Sequence, residues 1–314
     1  MIIRPFAGEF AAILPLVNLL NNAQLTIAEL EAAHARFPAD GIRERLVALD
    51  SAGRVVGYAN VNLKPAWPPG DFWFTLVVAP EARRQGVGTA LLERMASFAR
   101  AHGGTALRIG LSDDNEPGCG FAFSRGFVAP GGRTLESRLD VPGFDESPFV
   151  GVVEGLLAQG VRFLHYPSVT GDSVQQQVYE LYKVTDMDTP GYAGTDPALY
   201  PRFEKWNLEI FANDDTLLDG MIIAVEGERF VGCTIVQKHG DERGLYTEYT
   251  GVLKECRGRK IGLALKLLSV RWAKQYGAPY MTTRNAETNR SMLAINEKMG
   301  FVKTSGRYWL TRAL

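Results

Sequence analysis

The main feature of the hydrophobic pattern is an apolar run that gives way to a basic turn and then to a periodic segment. Phe72 to Val78 is almost entirely apolar and ends just before Pro80, which predicts a buried strand. From Thr89 to Ala101 apolar residues recur at helical spacing, and they are Leu91, Leu92, Met95, Phe98 and Ala99. The pattern therefore predicts a strand, a tight loop and an amphipathic helix in that order.

The loop between this strand and helix has the composition of an anion-binding turn. The first backbone N–H groups of a helix lack internal partners, and the helix dipole adds positive potential there. Gly86 and Gly88 allow an anion to approach the main chain, and Arg83 and Arg84 add positive charge. The loop is a candidate cradle for a pyrophosphate. An ordinary strand-to-helix turn with solvated arginines is the alternative.

The same strand, loop and helix occur a second time in the chain. A shift of 174 residues places Arg83 on Arg257 and keeps the two segments in register from Val78 to Val128. Further upstream, Val56–Val61 matches Val231–Val236 at a shift of 175 residues. A single long period indicates a duplicated domain rather than a solenoid.

The duplication predicts two related halves, residues 1–141 and 150–314, joined by a Pro- and Gly-containing linker at 142–149. Each half reads as a strand, two helices, an antiparallel hairpin and a strand-helix-strand-helix-strand tail, and Leu135–Val141 is expected to close the first sheet. Ser173–Thr185 reads as a helix followed by a loop at Asp186–Ala198. We expect two mixed α/β domains, each a twisted sheet with helices on both faces.

Composition narrows the functional classes. The 314 residues suit two domains, and the hydrophobic fraction of 46% is typical of globular proteins. With 34 basic and 35 acidic residues, no overall field attracts nucleic acid or an acidic membrane surface. The three cysteines and four histidines are scattered, so we expect no disulfide framework and no metal. Without a signal-peptide pattern or a long apolar run, a cytoplasmic location is the expectation.

The Arg-x-x-Gly-x-Gly pattern after a strand resembles the acetyl-CoA signature of the GNAT (Gcn5-related N-acetyltransferase) superfamily. The loop lacks the Gly-Lys-Ser/Thr of a P-loop and the third glycine of a dinucleotide fingerprint. In the second half, Thr282–Phe301 resembles the closing motif of the superfamily. Gly262–Lys266 is similar to the second half of bacterial tandem GNAT proteins, an architecture found in mycothiol synthase. The resemblance implies an α/β fold of two tandem GNAT domains.

The resemblance also implies acetyl-CoA as cosubstrate and assigns binding residues in the first half. Main-chain groups of Leu76, Val77 and Val78 would bind the pantetheine amides as an added strand does. The loop residues that would surround the pyrophosphate are Arg83, Arg84, Gln85, Gly86, Val87, Gly88 and Thr89. Asn115 would either bond the pantetheine or cap its helix.

The second half departs from this pattern. Its corresponding candidates are Thr250, Val252, Arg257, Arg259, Lys260, Gly262 and Asn289. Lys260 occupies the position of the first motif glycine. Its backbone N–H and its charge suit a phosphate, but its side chain obstructs close approach. The second half therefore either binds coenzyme A in an adjusted way or has lost this ability.

Acetyl transfer to an amine needs a base for the ammonium proton and an acid for the departing thiolate. Family members often use a carboxylate on the strand before the loop. Glu248 lies there, facing the same side as Tyr246 and Thr250, and Phe74 is its expected counterpart in the first half. Glu248 is therefore the candidate base and Tyr246 a candidate acid. A solvated carboxylate and a core or rim tyrosine are the alternatives.

The family's usual acid is in doubt in both halves. Many members use a tyrosine five residues before the phenylalanine of the closing Gly-Phe pair, and here those positions hold Ala122 and Asn296. Tyr249 and Tyr308 are further possible acids. Trp67, Trp73, Tyr192 and Trp206 are possible walls of an acceptor pocket, although aromatic residues more often belong to the core.

Three functions follow as hypotheses. The first is an N-acetyltransferase that moves acetyl from acetyl-CoA to the amine of a small molecule. The second is a non-catalytic acyl-CoA-binding or assembly protein. The third is a tandem-GNAT aminoacyl transferase using charged tRNA, which the lack of a basic stripe disfavours. We expect a monomer or homodimer without a nucleic-acid or membrane partner.

Overall fold

The computed structural model describes residues 1–21, 24–65, 67–189, 192, 196–239 and 243–314. The chain divides into two compact units. Unit 1 consists of residues 1–111, 115–130 and 308–314, and unit 2 consists of residues 112–114 and 131–307. The loops expected to shape an acceptor pocket, at 64–70 and 186–198, lie partly outside the described residues.

Unit 1 is built on a mixed sheet with the strand order β1-β2-β3-β4-β5. Neighbouring strands from β1 to β4 pair antiparallel, and β4 pairs parallel with β5. Its elements are β1 Ile2–Pro5, α1 Phe10–Asn21, α2 Ile27–Ala35, β2 Ile42–Leu49, β3 Val55–Leu63, β4 Asp71–Val78, α3 Val87–Ala101, β5 Ala106–Ser112 and α4 Glu116–Phe123.

The core of unit 1 confirms the predicted amphipathic helix. Leu91, Leu92 and Met95 of α3 are completely buried, and they belong to one apolar cluster with residues of α1 and of strands β2 to β5. Complete burial of a side chain of this size stabilises a fold by roughly 1.5–3 kcal/mol. The same periodicity that predicts the helix thus also fixes which face of it meets the sheet.

Unit 2 has the strand order β6-β11-β10-β9-β8-β7, in which only β10 and β11 pair parallel. Its elements are β6 Arg133–Asp140, α5 Val152–Ala158, β7 Val161–His165, α6 Asp172–Met187, α7 Phe203–Ile210, β8 Ile222–Glu226, β9 Arg229–His239, β10 Gly244–Val252, α8 Ile261–Tyr276, β11 Tyr280–Ala286 and α9 Arg290–Lys298. The last strand, β12 Val302–Ala313, begins in unit 2 and ends in unit 1.

The compact units do not coincide with the two halves of the sequence. Strand β6 ends the first half, yet it counts with unit 2 and pairs with β11 in register from Asp140↔Tyr280 to Thr134↔Ala286. The expectation that Leu135–Val141 closes the first sheet is therefore wrong. Local hydrophobic pattern identifies a strand, but it does not identify the partner strand. The boundaries at 141 and 150 stay a prediction about the duplicated halves.

The helices of unit 2 differ from the predicted ones at their ends. Helix α6 continues to Met187, so Asp186 is helical and not part of the following loop. Helix α7 begins only at Phe203, after Pro201, because a proline disfavours helical backbone in the residue before it. Helix α6 thus ends two residues later than predicted, and α7 begins four residues after the start of the helix that the sequence predicts at Leu199–Ala212.

Two further findings bear on the expected location and chemistry. Within the described ranges, none of the helices has the length and apolar character needed to cross a bilayer. Within the described ranges Cys119, Cys233 and Cys256 form no disulfide, and all three are buried.

Candidate active site

Each unit contains a point where its two parallel strands separate. In unit 1, β4 and β5 pair only between Asp71–Trp73 and Ala106–Arg108. In unit 2, β10 and β11 pair only between Leu245–Thr247 and Met281–Thr283. Beyond these residues β4 no longer pairs with β5, and β10 no longer pairs with β11, within the described ranges. We call the resulting openings the strand clefts of units 1 and 2.

The strand clefts contain the main-chain groups that were predicted to hold a pantetheine arm. Leu76, Val77 and Val78 lie on the cleft side of β4, which is paired to β3 along its other edge. Thr250 and Val252 have the same position on β10. An extended ligand can pair with such an open edge as an added strand does. The geometry suits this role, and the contact with a cofactor stays a prediction.

The loop after each cleft strand has the same backbone conformation in both units. Arg84 and Gly86 have φ angles of 61° and 84°, and their counterparts Gly258 and Lys260 have φ angles of 79° and 70°. Each loop therefore needs two left-handed residues, and each places a glycine at only one of them. Lys260 replaces a glycine but preserves the path of the loop.

The strained backbone of Lys260 leads to a prediction. Left-handed backbone costs an L-residue roughly 1–2 kcal/mol, and a new glycine adds about 0.5–1 kcal/mol of unfolded-state freedom. Lys260→Gly should therefore raise the free energy of unfolding by about 0.5–1 kcal/mol. The reciprocal Gly86→Lys should lower it by a similar amount, because a Cβ at Gly86 meets nothing within 4 Å and strain alone remains. Urea unfolding of both variants tests this, and equal stability of all three proteins would contradict it.

The motif arginines tie each loop to the end of its cleft strand. Arg83 Nε donates to the Val78 carbonyl at 3.1 Å, and Arg257 Nε donates to the Val252 carbonyl at 3.0 Å. The recurrence of this bond assigns both arginines a shared structural task.

Charge at the two loops is unequal. Arg257 forms an ion pair with Asp188 at 3.0 Å, and Arg259 forms one with Glu226 at 2.7 Å. Arg83 and Arg84 have no ion pair in the described part of the chain. Carboxylates beside the second loop reduce its attraction for a phosphate, so the first loop is the stronger candidate for anion binding.

The second glycine of each motif allows two helices to pack closely, in addition to the approach of an anion to the main chain. A Cβ at Gly88 would lie 3.3 Å from the Phe121 ring, and a Cβ at Gly262 would lie 3.6 Å from Val252 Cγ2 and 3.8 Å from Ile295 Cδ1. Gly88 and Gly262 thus let the first turn of α3 and of α8 lie close to the neighbouring helix. Val87 begins α3, so its N–H belongs to the unpaired set at that helix end.

The polar side chains around these loops already have partners. Gln85 Nε2 donates to the Glu81 carbonyl at 2.9 Å, and Thr89 Oγ1 accepts from Arg125 at 2.6 Å. Asn115 Oδ1 caps α4 by accepting from the Gly118 N–H at 3.1 Å. Asn289 Oδ1 caps α9 in the same way, accepting from the Met292 N–H at 3.3 Å. Both asparagines are helix caps, and a further contact with a cofactor stays a prediction.

Glu248 lies at a β-bulge. Thr247 pairs with Val236 and Tyr249 pairs with Ile235, so Glu248 has no partner on β9. A bulge inserts one residue into a strand and re-aims the side chains around it. The corresponding ladder between β3 and β4 continues without a shift. The candidate base therefore occupies a bulge in β10 that the corresponding strand of unit 1, β4, lacks in its described pairing with β3.

The strand register corrects the expected counterpart of Glu248. Phe72 lies opposite Leu107 in unit 1, as Leu245 lies opposite Met281 in unit 2. Counting from these pairs, Phe74 corresponds to Thr247, and Glu248 is an extra residue. The prediction that Phe74 is the counterpart of Glu248 is wrong, because a constant sequence offset does not detect a one-residue insertion inside a strand.

The surroundings of Glu248 suit proton transfer. Burial raises the pKa of its carboxyl group, the negative charges of Asp186 and Glu209 raise it further, and Arg284 opposes this. Burial also raises the pKa of Tyr246 to about 12, with a further contribution from Glu248. The raised pKa of Glu248 suits a general base, and the raised pKa of Tyr246 means that this phenol keeps its proton at neutral pH.

Asp186 is a site residue that the sequence did not reveal. It was assigned to a loop, but it lies in the last turn of α6, and Tyr200 Oη donates to its Oδ2 at 3.0 Å. Burial raises its pKa above the ordinary value for an aspartate. A helix continuing past Thr185 is the only sequence signal that could have placed it near Glu248.

The other aromatic candidates separate into core and surface groups. Tyr249 stacks on Tyr182 at 3.9 Å and bonds Thr185, and Trp206 is buried, so both belong to the core of unit 2. In unit 1, Trp67 and Trp73 contact each other with ring centroids 5.7 Å apart. Three further pairs of aromatic rings are in contact, and they are Trp73 with Trp309, Tyr308 with Phe123 and Tyr192 with Tyr200.

Two strand clefts, each leading into a basic loop at a helix start, define a tandem acyltransferase architecture. The sequence pattern of the Acetyltransferase (GNAT) family matches residues 17–127 and 177–301. Because these matches cover most of the chain, the protein belongs to the Acetyltransferase (GNAT) family. It contains two GNAT units in a mixed α/β fold, and its role is that of an N-acetyltransferase.

Named relatives agree with this assignment. The mycothiol acetyltransferase of Geodermatophilus obscurus is 25% identical over 288 residues, which cover 88% of this chain and 83% of that protein. The mycothiol acetyltransferase of Streptomyces coelicolor is 26% identical over 298 residues, covering 90% and 84%. The solved structure of a tandem GNAT protein from the clavulanic acid biosynthesis pathway covers 99% of this chain and 98% of its own, with a TM-score of 0.61 and 21% identity. The last comparison concerns the fold alone.

Proposed function

We propose that the protein transfers an acetyl group from acetyl-CoA to an amine of a small-molecule acceptor, and that the chemistry occurs in unit 2. The observation that carries this proposal is the position of Glu248 at a bulge beside an open strand cleft. A carboxylate with a raised pKa at that position is suited to deprotonate an ammonium group. Unit 1 has no bulge in β4 and an apolar residue, Phe74, nearby.

Acetyl-CoA supplies the thioester, and this chain supplies its binding groups. The main-chain edges of β4 and β10 would pair with the pantetheine arm. The helix starts at Val87 and Ile261 would receive the pyrophosphate, with Lys260 adding charge in unit 2. We infer stronger binding in unit 1, because its loop has a glycine at position 86 and arginines without ion pairs.

The reaction follows from the two titratable groups in unit 2. Glu248 takes a proton from the acceptor ammonium, and the free amine attacks the thioester carbonyl. A C–N bond forms, the C–S bond breaks, and the departing thiolate receives a hydrogen bond and then a proton from Tyr246. Since the charge of Glu248 helps to raise the pKa of Tyr246, protonation of Glu248 makes the phenol a better acid at the moment when the thiolate forms.

A cationic small molecule is the acceptor class that fits best. Asp186, Glu209 and Glu248 give this region of unit 2 a negative potential. The charges of Asp186 and Glu209 raise the pKa of Glu248, which indicates that they act on the same region. The relatives named mycothiol acetyltransferase support a small-molecule acceptor over a protein. Their acceptor is not transferred to this chain, since identity is near 25%.

The test is release of the coenzyme A thiol from acetyl-CoA in the presence of a panel of primary amines. Monoamines, diamines and amino sugars should be compared with matched compounds that carry an additional carboxylate. We expect acetylation of at least one cationic amine, with the product identified by mass spectrometry. Acetyl-CoA binding without turnover for any amine would favour the non-catalytic alternative instead.

A further inference from the structure

The interior of unit 2 contains three polar side chains that each have one polar atom without a partner. Lys266 and Asn296 are 2% exposed and Ser269 is 1% exposed. Within the described ranges, Lys266 Nζ, Ser269 Oγ and Asn296 Oδ1 have no hydrogen-bond partner. Leaving a buried polar group unsatisfied is costly, so a concentration of three in one place calls for a functional explanation.

The fold itself does not require polar groups there. The counterparts in unit 1 are Leu92, Met95 and Ala122, all buried in the apolar core. The correspondence is supported by contacts, since α3 packs on α4 at Gly88 as α8 packs on α9 at Gly262. The same fold is therefore stable with an apolar interior, and unit 2 departs from it at three matching positions.

Lys266 and Ser269 belong to α8, and Asn296 belongs to α9. Lys266 on α8 lies over the Phe301 ring, with Nζ 4.9 Å from the ring centre. The Phe301 N–H donates to the main-chain carbonyl of Asn296 at 2.9 Å, so Asn296 on α9 also lies close to Phe301. Ser269 is one turn beyond Lys266 on the same helix face. A lysine ammonium offers donors only, so it favours an acceptor atom facing it.

Asn296 Oδ1 and Lys266 Nζ do not bond each other directly. One buried water that joins the two would satisfy both atoms, and this arrangement leaves Asn296 Nδ2 to donate elsewhere. Asn296 Nδ2 donates to Asn285 Oδ1 at 2.7 Å. Asn285 then accepts through its oxygen, and its own Nδ2 remains available as a donor, with no protein acceptor in the described part of the chain.

Asn285 borders the strand cleft of unit 2. It lies on β11 two residues beyond Thr283, the last residue paired with β10, and its side chain is only partly buried. Its counterpart in unit 1 is Leu111, which packs against the apolar core. At this position of the cleft, a side-chain hydrogen-bond donor is therefore present in unit 2 and absent from unit 1.

We propose that Asn285 Nδ2 donates a hydrogen bond to a carbonyl oxygen of the acyl-pantetheine arm in unit 2, and that Asn296 and Lys266 are positioning residues that set this polarity. The arm carries two amide carbonyls and a thioester carbonyl, and each of these is an acceptor for such a donor. This inference rests on the proposed function, in that unit 2 binds acetyl-CoA.

The test uses the full chain with Gly86→Glu, which introduces a negative charge in the loop of unit 1 so that unit 2 is observed. Acetyl-CoA and 3′,5′-ADP, which lacks the arm, are titrated by calorimetry. Asn285→Leu, which introduces the unit 1 residue, should weaken acetyl-CoA binding about tenfold and leave 3′,5′-ADP binding unchanged. Asn285→Asp keeps the acceptor for Asn296 but loses the donor, and it should show the same selective loss.

A double-mutant cycle separates positioning from general loosening of the fold. Asn296→Ala and Lys266→Leu each introduce the residue that unit 1 has at the corresponding position. Each should weaken acetyl-CoA binding several-fold when Asn285 is present, and neither should have a further effect in Asn285→Leu. Equal losses in both backgrounds would overturn the positioning roles. Unchanged acetyl-CoA binding in Asn285→Leu, or an equal loss for 3′,5′-ADP, would overturn the role of Asn285. Absence of acetyl-CoA binding to unit 2 in the parent would instead remove the proposed function, and this inference with it.

Discussion

Replacing Glu248 with glutamine should lower kcat by about 10²- to 10⁴-fold, the range typical of a lost general base. The substitution keeps the size of the side chain and the bulge, and it removes only the ability to take a proton. The affinity for acetyl-CoA should stay within about twofold, because Glu248 has no role in the phosphate loops. Steady-state rates with an accepted amine, together with calorimetric binding, measure both quantities.

The pH dependence of the same variant provides a sharper test. Since the pKa of Glu248 is raised, kcat/KM of the wild type should fall as pH drops through that raised value, where the carboxylate becomes protonated. Glu248→Gln should lack this acidic limb. Glu228→Gln, an exposed carboxylate in the turn between β8 and β9, is the matched control and should retain it. An acidic limb of equal shape in Glu248→Gln would rule out Glu248 as the base.

Lys266→Leu should stabilise the protein by an amount that depends on pH. Burial lowers the pKa of Lys266 from its ordinary value near 10.5 to about 7. One pKa unit corresponds to about 1.4 kcal/mol, so the penalty of burying this charge reaches at most about 5 kcal/mol. Leucine removes the charge, and Leu92 occupies the corresponding position in unit 1 without exposure.

The sign of this effect follows from proton linkage. Below pH 7 the lysine is protonated in both states, and the folded state carries the full penalty. Between about pH 7 and 10.5 the unfolded state binds more protons, so the stability of the wild type rises with pH. Above that range both states are neutral, and the part of the difference between Lys266→Leu and the wild type that comes from the buried charge should vanish.

Chemical unfolding at pH 6, 8 and 10 measures this difference directly. The gain in unfolding free energy from Lys266→Leu should be several kcal/mol at pH 6 and should decrease at each higher pH. Lys303→Leu removes an exposed lysine and should show no such trend. A gain from Lys266→Leu that is the same at all three pH values would mean that the lysine is not buried as a charge.

Local sequence pattern is sufficient to predict the strands, loops and helices that follow one another directly in the chain. The strand before Pro80, the basic loop and helix α3 are each encoded within a few residues, through apolar runs, glycines and helical spacing. The repeat at Arg257 also predicts that the second loop has the same shape, and Lys260 confirms this with a left-handed backbone. These features depend on short-range physics, so the sequence reveals them.

Features that depend on distant partners were not predictable in the same way. Strand β6 pairs with β11, more than 140 residues away, and no local pattern specifies that choice. The bulge at Glu248 appears only when the register on both sides of the strand is known. Likewise, the polarity of Lys266 is visible in the sequence, but its contact with Phe301 and the lack of a partner for Asn296 Oδ1 are properties of the packed interior.

The most direct test of the account is to compare product formation and acetyl-CoA binding in Gly86→Glu and Lys260→Glu. These substitutions place the same negative charge at the corresponding left-handed position of each loop. We predict that each variant loses one of two binding sites, and that Lys260→Glu abolishes acetylation while Gly86→Glu reduces it far less. If Gly86→Glu abolished acetylation and Lys260→Glu retained it, the chemistry would belong to unit 1 and the account would be wrong.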